Sequence, residues 1–385
     1  MTVRKRILCI HQGGELYGSD RSFLQAVQAM RAGWPNAEIK VVLAVDGPLR
    51  GPLKEVSDIV RVRDLCVLRL ANPISTSLKS SIAAPYYLAR AMSDIAQADL
   101  AYINTTVIAD YMLAARSAPS KTVIHAREIP KPKAMPVVRG LVRFSSARVI
   151  FNSEATERAF ALPSTQKHQV IHNGVDAVAG ARPVELPETF SVGRPLRVAM
   201  LGRISDWKGQ DLLIEAVGQL PGNLREIISV RIVGSTFRDA RGPIEKLEAQ
   251  IEAANLGKVI VLEPFRDDPG DIYRWADLCV VPSRLPEPFG RVAIEAMAYG
   301  RPTIVAAHGG LIEIVEPGES GWFFEPNDSA TLAVALEEAL TAPSELERRA
   351  SAALLRFESK FSANTMTRKL TEALTKWIPA LGEAK

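Results

Sequence analysis

Short runs of β-branched and aliphatic residues alternate with amphipathic stretches along almost the whole chain, and this leaves few folds open. RILCI, IKVVLAV, LAYIN, TVIHA, RVIFN and QVIHN occupy the first half; RVAMLG, VRIVG, VIVLEP, LCVVPS and PTIVAA occupy the second. Most are continuously apolar rather than alternating, as suits strands buried on both faces. Stretches such as RSFLQAVQAMRAG and QDLLIEAVGQL lie between them with helical spacing. Strand and helix in turn predict parallel sheets covered by helices. Asp176–Pro195, rich in Pro, Gly and Ala, interrupts the pattern and reads as an interdomain linker. The chain of 385 residues therefore divides into two doubly wound, Rossmann-like α/β domains. They span residues 1–178 and 190–361, and a C-terminal helix over about 362–385 packs back on the first. Ligands of such sheets bind beyond the carboxyl ends of the strands. The active site is expected in a cleft across which the two domains face.

Composition excludes several classes. Apolar residues at 47% and charged residues at 23% are those of a soluble globular protein. No run of about 18 uncharged apolar residues occurs. The start, MTVRKRILCI, reaches His11 and Gln12 too soon to be a signal peptide. A cytoplasmic protein is expected, with Cys9, Cys66 and Cys279 as separate buried thiols. The five histidines form no H-E-x-x-H and no Cys/His cluster, so neither a metal nor another cofactor is expected. No G-x-S-x-G hydrolase signature is present. The net charge of +4 is uneven: about +10 up to Val175 and about −6 beyond it. A basic first half suits an anionic partner.

One stretch poses a chemical question. In PEPFGRVAIEAMAYGRP, Pro286–Pro302, the residues from Phe289 to Tyr299 read as a short helix apolar on nearly every face, closed by Gly300. Glu295 sits in its middle and Glu287 lies just before it. An unpaired buried carboxylate is costly, so both acids require partners. Elsewhere, LGRISDWKGQDLLIEAV places Arg203 and Lys208 between a strand and a helix starting near Gln210, which suits an anion. A solvated basic loop is the alternative. HQGGELYGSDRSF puts Gly13 and Gly14 ahead of a helix beginning near Ser19 or Asp20. The spacing is not G-x-G-x-x-G, so it is no dinucleotide fingerprint, and a plain tight turn is the alternative. AAHGGLIEIVEPGESGWFFEP supplies a second glycine pair, Gly309 and Gly310, and then an apolar strand after Gly321.

Taken in order, these pieces resemble the family-4 retaining glycosyltransferases of the GT-B fold. The resemblance covers most of the chain and is strongest from about Leu196 to Pro326. EPFGRVAIE and its continuation carry it most specifically, with LGRISDWKG similar to the family's diphosphate loop and VIHNGVD to the segment closing its first domain. It implies that Glu287 contacts hydroxyls of a donor sugar and Glu295 those of the nucleotide ribose. It implies that Arg203 and Lys208 meet the diphosphate in place of a metal, and that backbone N–H groups near Phe289, Gly290 and Val292 meet sugar and phosphate oxygens. The base would sit near Gly234, Phe265 and Arg266. Gly14 matches a loop approaching the phosphate, and His125 matches a histidine that contacts the donor sugar. VGSTF departs from the family's usual G-x-G and weakens the base assignment. An Arg291–Glu295 (i, i+4) pair on the surface is the alternative role for Glu295.

The expected activity is metal-independent, retaining transfer of a hexose from a nucleoside diphosphate sugar, GDP- or UDP-linked, to a glycan or lipid-linked acceptor, in bacterial polysaccharide or glycolipid synthesis. The alternatives are a nucleotide-sugar epimerase of the same fold and a non-catalytic nucleotide-sugar sensor. Nucleic acid is not an expected partner, because no aromatic platform accompanies the charges. An anionic membrane surface at the inner face is a candidate partner. KPKAMPVVRGLVRFSSAR interleaves Lys131, Lys133, Arg139, Arg143 and Arg148 with Val137, Val138, Leu141, Val142 and Phe144, and on a helix Val138, Leu141 and Val142 share a face that an interfacial helix would bury. The alternative is that these valines pack on the domain's own sheet.

Overall fold

The computed structural model describes residues 4–68, 77–236 and 240–384, with the side chains of 77–82 excepted. Met1–Val3 of the basic start, Phe237 of VGSTF and Lys385 of the C-terminal segment lie outside the described residues. The chain forms two compact units, residues 1–174 with 363–385, and residues 175–362.

The first unit is built on a parallel sheet of seven strands, β1 (Arg6–His11), β2 (Glu38–Leu43), β3 (Ile59–Val62), β4 (Leu100–Asn104), β5 (Thr122–Ala126), β6 (Arg148–Phe151) and β7 (His168–Val170). Their order is β3-β2-β1-β4-β5-β6-β7, so the direction of winding reverses between β1 and β4. The second unit repeats the plan with six strands, β8 (Leu196–Leu201), β9 (Ile228–Val233), β10 (Ile260–Glu263), β11 (Leu278–Val281), β12 (Thr303–Ala306) and β13 (Gly321–Phe324), in the order β10-β9-β8-β11-β12-β13. Central strands are buried along their length, as in β4 and β11. The strand that sequence reading passes over, β3, is an edge strand carrying Arg61, with no fully buried residue. An edge needs no apolar run.

Register and parity place side chains on faces. Cys9 pairs with Tyr102, and Asn104 with His125. Ile7, Cys9, Tyr102 and Val123 belong to the core under the helices Gly18–Gly33 and Ala363–Trp377. Side chains alternate along a strand. His11, Asn104 and His125 therefore share that face at the carboxyl ends of β1, β4 and β5.

Three sequence expectations are revised. Asp176–Pro195 is no free linker: Val184 and Phe190 are buried in the second unit's core, and the Arg182 carbonyl lies where a side chain at Gly300 would stand. A segment without periodicity can still bury single apolar residues. The face Val138, Leu141, Val142 of the helix Met135–Ser145 is not interfacial. Val138 and Val142 are fully buried in the first unit's own core with Leu141 against them. Arg139 and Arg143 donate to the carbonyls of Ala159 and Ala161, 2.8 Å each, at the end of the helix Glu154–Phe160. The exposed apolar residues of this helix are Val137 and Phe144. Of the thiols, Cys9 and Cys279 are buried and Cys66 is half-buried.

The helix Ala363–Trp377 belongs to the first unit although the chain that leads into it belongs to the second. Met366, Leu370, Leu374 and Trp377 recur at helical spacing and all are buried. Replacing Leu374 by Ala removes a fully buried side chain and should cost about 2–5 kcal/mol. Native-state hydrogen exchange should show protection falling in β1, β2 and the helix Gly18–Gly33 while β8–β13 keep theirs. Equal loss in both sheets would refute the assignment.

Candidate functional site

In the second unit three loops at the carboxyl edge of the sheet meet around Glu287. The loop after β8 carries Lys208, the loop after β11 carries Ser283 and Glu287, and the loop after β12 carries His308, Gly309 and Gly310. Glu287 is buried at 6% exposure. The Lys208 Nζ and the Ser283 hydroxyl each donate to its Oε1 at 2.6 Å. Burial alone would raise this carboxyl's pKa. The Lys208 charge and hydrogen bond, the Ser283 hydroxyl and the nearby His308 outweigh it and hold the pKa below the ordinary value. Glu287 is therefore an anion at neutral pH. Its burial is tolerable because it is paired.

The loops are tied to one another. His308 Nε2 donates to the Ser283 carbonyl at 2.7 Å. The Gly310 N–H donates to the Glu287 carbonyl at 2.8 Å. A Cβ at Gly309 would fall 2.5 Å from that carbonyl oxygen, and one at Gly310 would fall 2.6 Å from the Phe289 Cα. The glycine pair is thus required by close backbone approach to the Glu287 loop. Arg284 fastens the other side: its N–H donates to the Trp207 carbonyl at 2.7 Å and its guanidinium to Asp211 at 2.8 Å. Gln210 is buried and donates to the Arg203 carbonyl at 3.0 Å. Arg203 itself is exposed, and Lys208 lies over the Trp207 ring at 4.8 Å.

The helix foreseen around Glu295 spans Arg291–Ala298, with Gly290 before it and Gly300 at positive φ behind it. Phe289 is a core residue of this unit, and Val292 is half-buried. Glu295 is not buried. Its side chain is 23% exposed and takes Arg291 Nε at 3.0 Å and the Tyr273 hydroxyl at 3.1 Å. The (i, i+4) pair considered from sequence is therefore formed, joined by a tyrosine that spacing could not reveal. Burial and the Glu295 charge push the Tyr273 phenol well above its ordinary value, so it donates.

Of the proposed base contacts, Gly234 lies against the Gly202 carbonyl and Phe265 is about half exposed. Arg266 pairs with Glu263 and Asp271. The departure VGSTF has a local function: the Ser235 hydroxyl accepts the Phe265 N–H at 3.1 Å, joining the loops after β9 and β10.

In the first unit Gly14, in the loop after β1, is packed against the loop after β2. A Cβ there would meet the Val45 carbonyl at 2.6 Å. His125 lies on β5 among buried polar groups. Its Nδ1 meets the Tyr102 hydroxyl and, at 3.2 Å, an Arg127 NH2 group. Arg127 is itself buried and donates to the Asn104 and Asn173 side-chain oxygens, 2.5 Å each, and to the Ser22 carbonyl at 3.2 Å. Burial and then the Arg127 charge depress the His125 pKa well below the ordinary histidine value. Its Nε2 is buried and, among the described residues, has no hydrogen-bond partner. An unmet buried polar group costs about 1–3 kcal/mol and marks a place where a ligand atom is wanted. The described residues contain no group of three His, Cys, Asp or Glu able to hold a metal. No described helix is long and apolar enough to cross a membrane.

Residues 184–355 match the family model described as glycosyl transferases group 1. The mannosylfructose-phosphate synthase of Agrobacterium fabrum is 36% identical over 143 residues, covering 36% of this chain and 31% of that protein. The D-inositol 3-phosphate glycosyltransferase of Mycolicibacterium smegmatis is 31% identical over 248 residues, covering 61% of this chain and 55% of that one. The matches thus span about a third to a half of these relatives' own length. A crystal structure of Anabaena Alr3699/HepE in complex with UDP and glucose superposes with a TM-score of 0.77 at 26% identity, over 97% of this chain and 100% of that one.

The pairing of Glu287 makes a pH prediction with a definite sign. A carboxyl whose native pKa is lowered adds stability that is fully present above its unfolded pKa, about 4.3, and is lost as pH falls through the native value. Denaturant unfolding of the wild type and Glu287→Gln should therefore show a gap at neutral pH that closes as the solution is acidified below about pH 4. A gap constant with pH would show that the ionised carboxylate is not its source.

Proposed function

We propose that this chain, which has the GT-B fold and over residues 184–355 matches the glycosyl transferases group 1 model, transfers a hexose from a nucleoside diphosphate sugar, with UDP as the first carrier to test. The observation that carries this reading is the pair of half-buried Lys208 with buried Glu287 at the carboxyl edge of a doubly wound sheet. An ionised, rigidly held carboxylate is an acceptor for the O–H groups of a sugar. An ammonium has three donors, and Glu287 takes one, so the same lysine can also serve a phosphate oxygen. The resemblance to a protein solved with UDP and glucose supports the donor class.

In the proposed mechanism Arg203 and Lys208 gather the negative charge that grows on the departing diphosphate. Glu287 fixes the sugar through its hydroxyls, and Glu295, held by Arg291 and Tyr273, accepts from the ribose. Backbone N–H groups near Phe289, Gly290 and Val292 add contacts to oxygens at the helix start. Phe265 and Gly234 flank the base, with Arg266 beside them. Gly14 keeps its loop close to the phosphate. His125 supplies a hydrogen bond to the sugar. Departure and attack occur on one face, so the anomeric configuration is retained, and the leaving phosphate takes the acceptor's proton. The acceptor is a glycan or a lipid-linked saccharide.

Isothermal titration and a transfer assay with UDP and GDP sugars test the assignment. Lys208→Ala and Arg203→Ala should each lose about 2–4 kcal/mol of transition-state stabilisation. Glu287→Gln should lower turnover far more than it weakens binding of the free nucleotide, while Glu295→Gln weakens nucleotide binding. Equal losses in both glutamate variants would break the split. Turnover should also persist in excess chelator, since two side-chain cations serve the diphosphate. A rate abolished by chelation and restored by a divalent ion would overturn that part of the mechanism.

A further inference from the structure

We propose that a hydrogen-bond chain of fixed polarity, Asp20–His11–Asn104–Arg127–His125, holds the His125 ring neutral with its proton on Nε2, so that His125 is a permanent donor to the ligand and not a base. Arg127 is the positioning residue that sets this order. The identity of the ligand rests on the sugar-transfer reading; the order of the protons does not.

The derivation starts from Arg127, because a guanidinium has N–H donors and no acceptor. Whatever it touches at hydrogen-bond distance must accept. Its Nε lies 2.5 Å from the Asn104 Oδ1, which fixes the orientation of that amide. The Asn104 Nδ2 must then donate to its other neighbour, His11 Nδ1, at 2.9 Å. His11 therefore has a bare Nδ1 and carries its proton on Nε2, which donates to Asp20 Oδ1 at 2.8 Å. Every link from Asp20 to Arg127 has one consistent sense.

The other end follows by the same rule. One Arg127 nitrogen, with two protons, faces three acceptors, the Ser22 carbonyl and His125 Nδ1 at 3.2 Å and the Tyr102 hydroxyl at 3.3 Å, and its positive charge opposes a proton on Nδ1. The Tyr102 hydroxyl lies at hydrogen-bond distance from the same Nδ1 and donates to it when Nδ1 is bare. With Nδ1 bare, the proton sits on Nε2. A second proton is opposed by burial of the ring and by the adjacent guanidinium. The groups around the ring are Tyr102 from β4 and Arg127 beyond β5, with His11 on β1 and Asp20 on the helix Gly18–Gly33 further along the chain of bonds. Arg127 also has a backbone bond to the Glu128 carboxyl, which is held by Thr106. The arrangement leaves His125 Nε2–H as a buried donor with no partner among the described residues. Such an atom recognises an acceptor: a hydroxyl or phosphate oxygen. It cannot abstract a proton, because Nε2 already holds one and Nδ1 is taken up by Tyr102 and Arg127.

Nitrogen NMR of the full chain labelled at histidine reads this directly, with His125 and His11 assigned from variants at each. Both rings should show a bare Nδ1 and a protonated Nε2 at neutral pH, and His125 should keep that form as the pH falls through the range where an ordinary histidine titrates. Arg127→Met should mix the two His125 tautomers, because tyrosine alone can donate or accept. Tyr102→Phe should leave His125 as it was. Asn104→Asp, which offers acceptors on both sides, should place a proton on His11 Nδ1 while His125 keeps its order. A protonated Nδ1 on His125 in the wild type, or an Arg127→Met spectrum identical to wild type, would overturn the proposal. The wild-type and Asn104→Asp spectra decide it even where Arg127→Met does not fold. If the tautomers are as stated and no nucleotide sugar is turned over, it is the transfer reading that falls.

Discussion

A carboxylate removed from water has to be paired, and at Glu287 that requirement organises the carboxyl edge of the second unit. Lys208 comes from the loop after β8, while Ser283 precedes the acid in its own loop after β11. His308 and the glycine pair come from the loop after β12 and close on the same backbone. The three strands β8, β11 and β12 are neighbours in the sheet. Parallel order thus brings chain segments about 80 and 20 residues from Glu287 into hydrogen-bond contact with its loop. Removing one partner of such a pair leaves the other charge buried, a loss of about 3–5 kcal/mol. A functional carboxylate and its structural support are in this way one assembly.

The two units bury charges at the carboxyl ends of the same strand plan in different company. In the second, Glu287 is an anion held by a cation. In the first, Arg127 is buried, and the groups it touches on β4, on β5, beyond β7 and on the helix Gly18–Gly33 are carbonyl, amide and hydroxyl oxygens and an imidazole nitrogen. A guanidinium solvated by dipoles in this way does more than sit in place. Every dipole around it must turn its negative end inward, and the turning propagates. That is why a single donor-only side chain can settle proton positions two residues away in the network.

The parts of this molecule legible in the sequence are those with a repeating physical signature. Buried parallel strands are continuous apolar runs, so β4 and β5 were readable to the residue, while β3 was not, because an edge strand with Arg61 needs no such run. Helical periodicity showed that Val138 and Val142 belong to an apolar face but not what covers it, and the cover proved to be the unit's own sheet. Val184 and Phe190 sit singly in a segment read as a linker. At the site, Glu287 and Lys208 stood out because a charge beside a buried helix or a glycine loop demands an account. Ser283, Arg284, Tyr273 and Ser235 carry no such signal: each is one polar residue whose partner is set by strand order. Arg127 looked like any loop arginine. Only the pairing of Asn104 with His125, and of Cys9 with Tyr102, brings its partners around it.

The protonation of each site limits what its own groups can do in the proposed transfer. Glu287 is ionised, but its acidity is enhanced by Lys208 and Ser283, and a carboxylate whose pKa is lowered is a poor base. His125 presents a nitrogen that already bears its proton. Neither group is fitted to take a proton from an attacking hydroxyl, and each is fitted to hold one hydrogen bond of constant sense, Glu287 accepting and His125 donating. The diphosphate oxygen that Arg203 and Lys208 would serve is different, since it gains charge as the bond to the sugar breaks and its basicity grows at the moment a proton must be received. In the proposed mechanism the leaving group is accordingly the base.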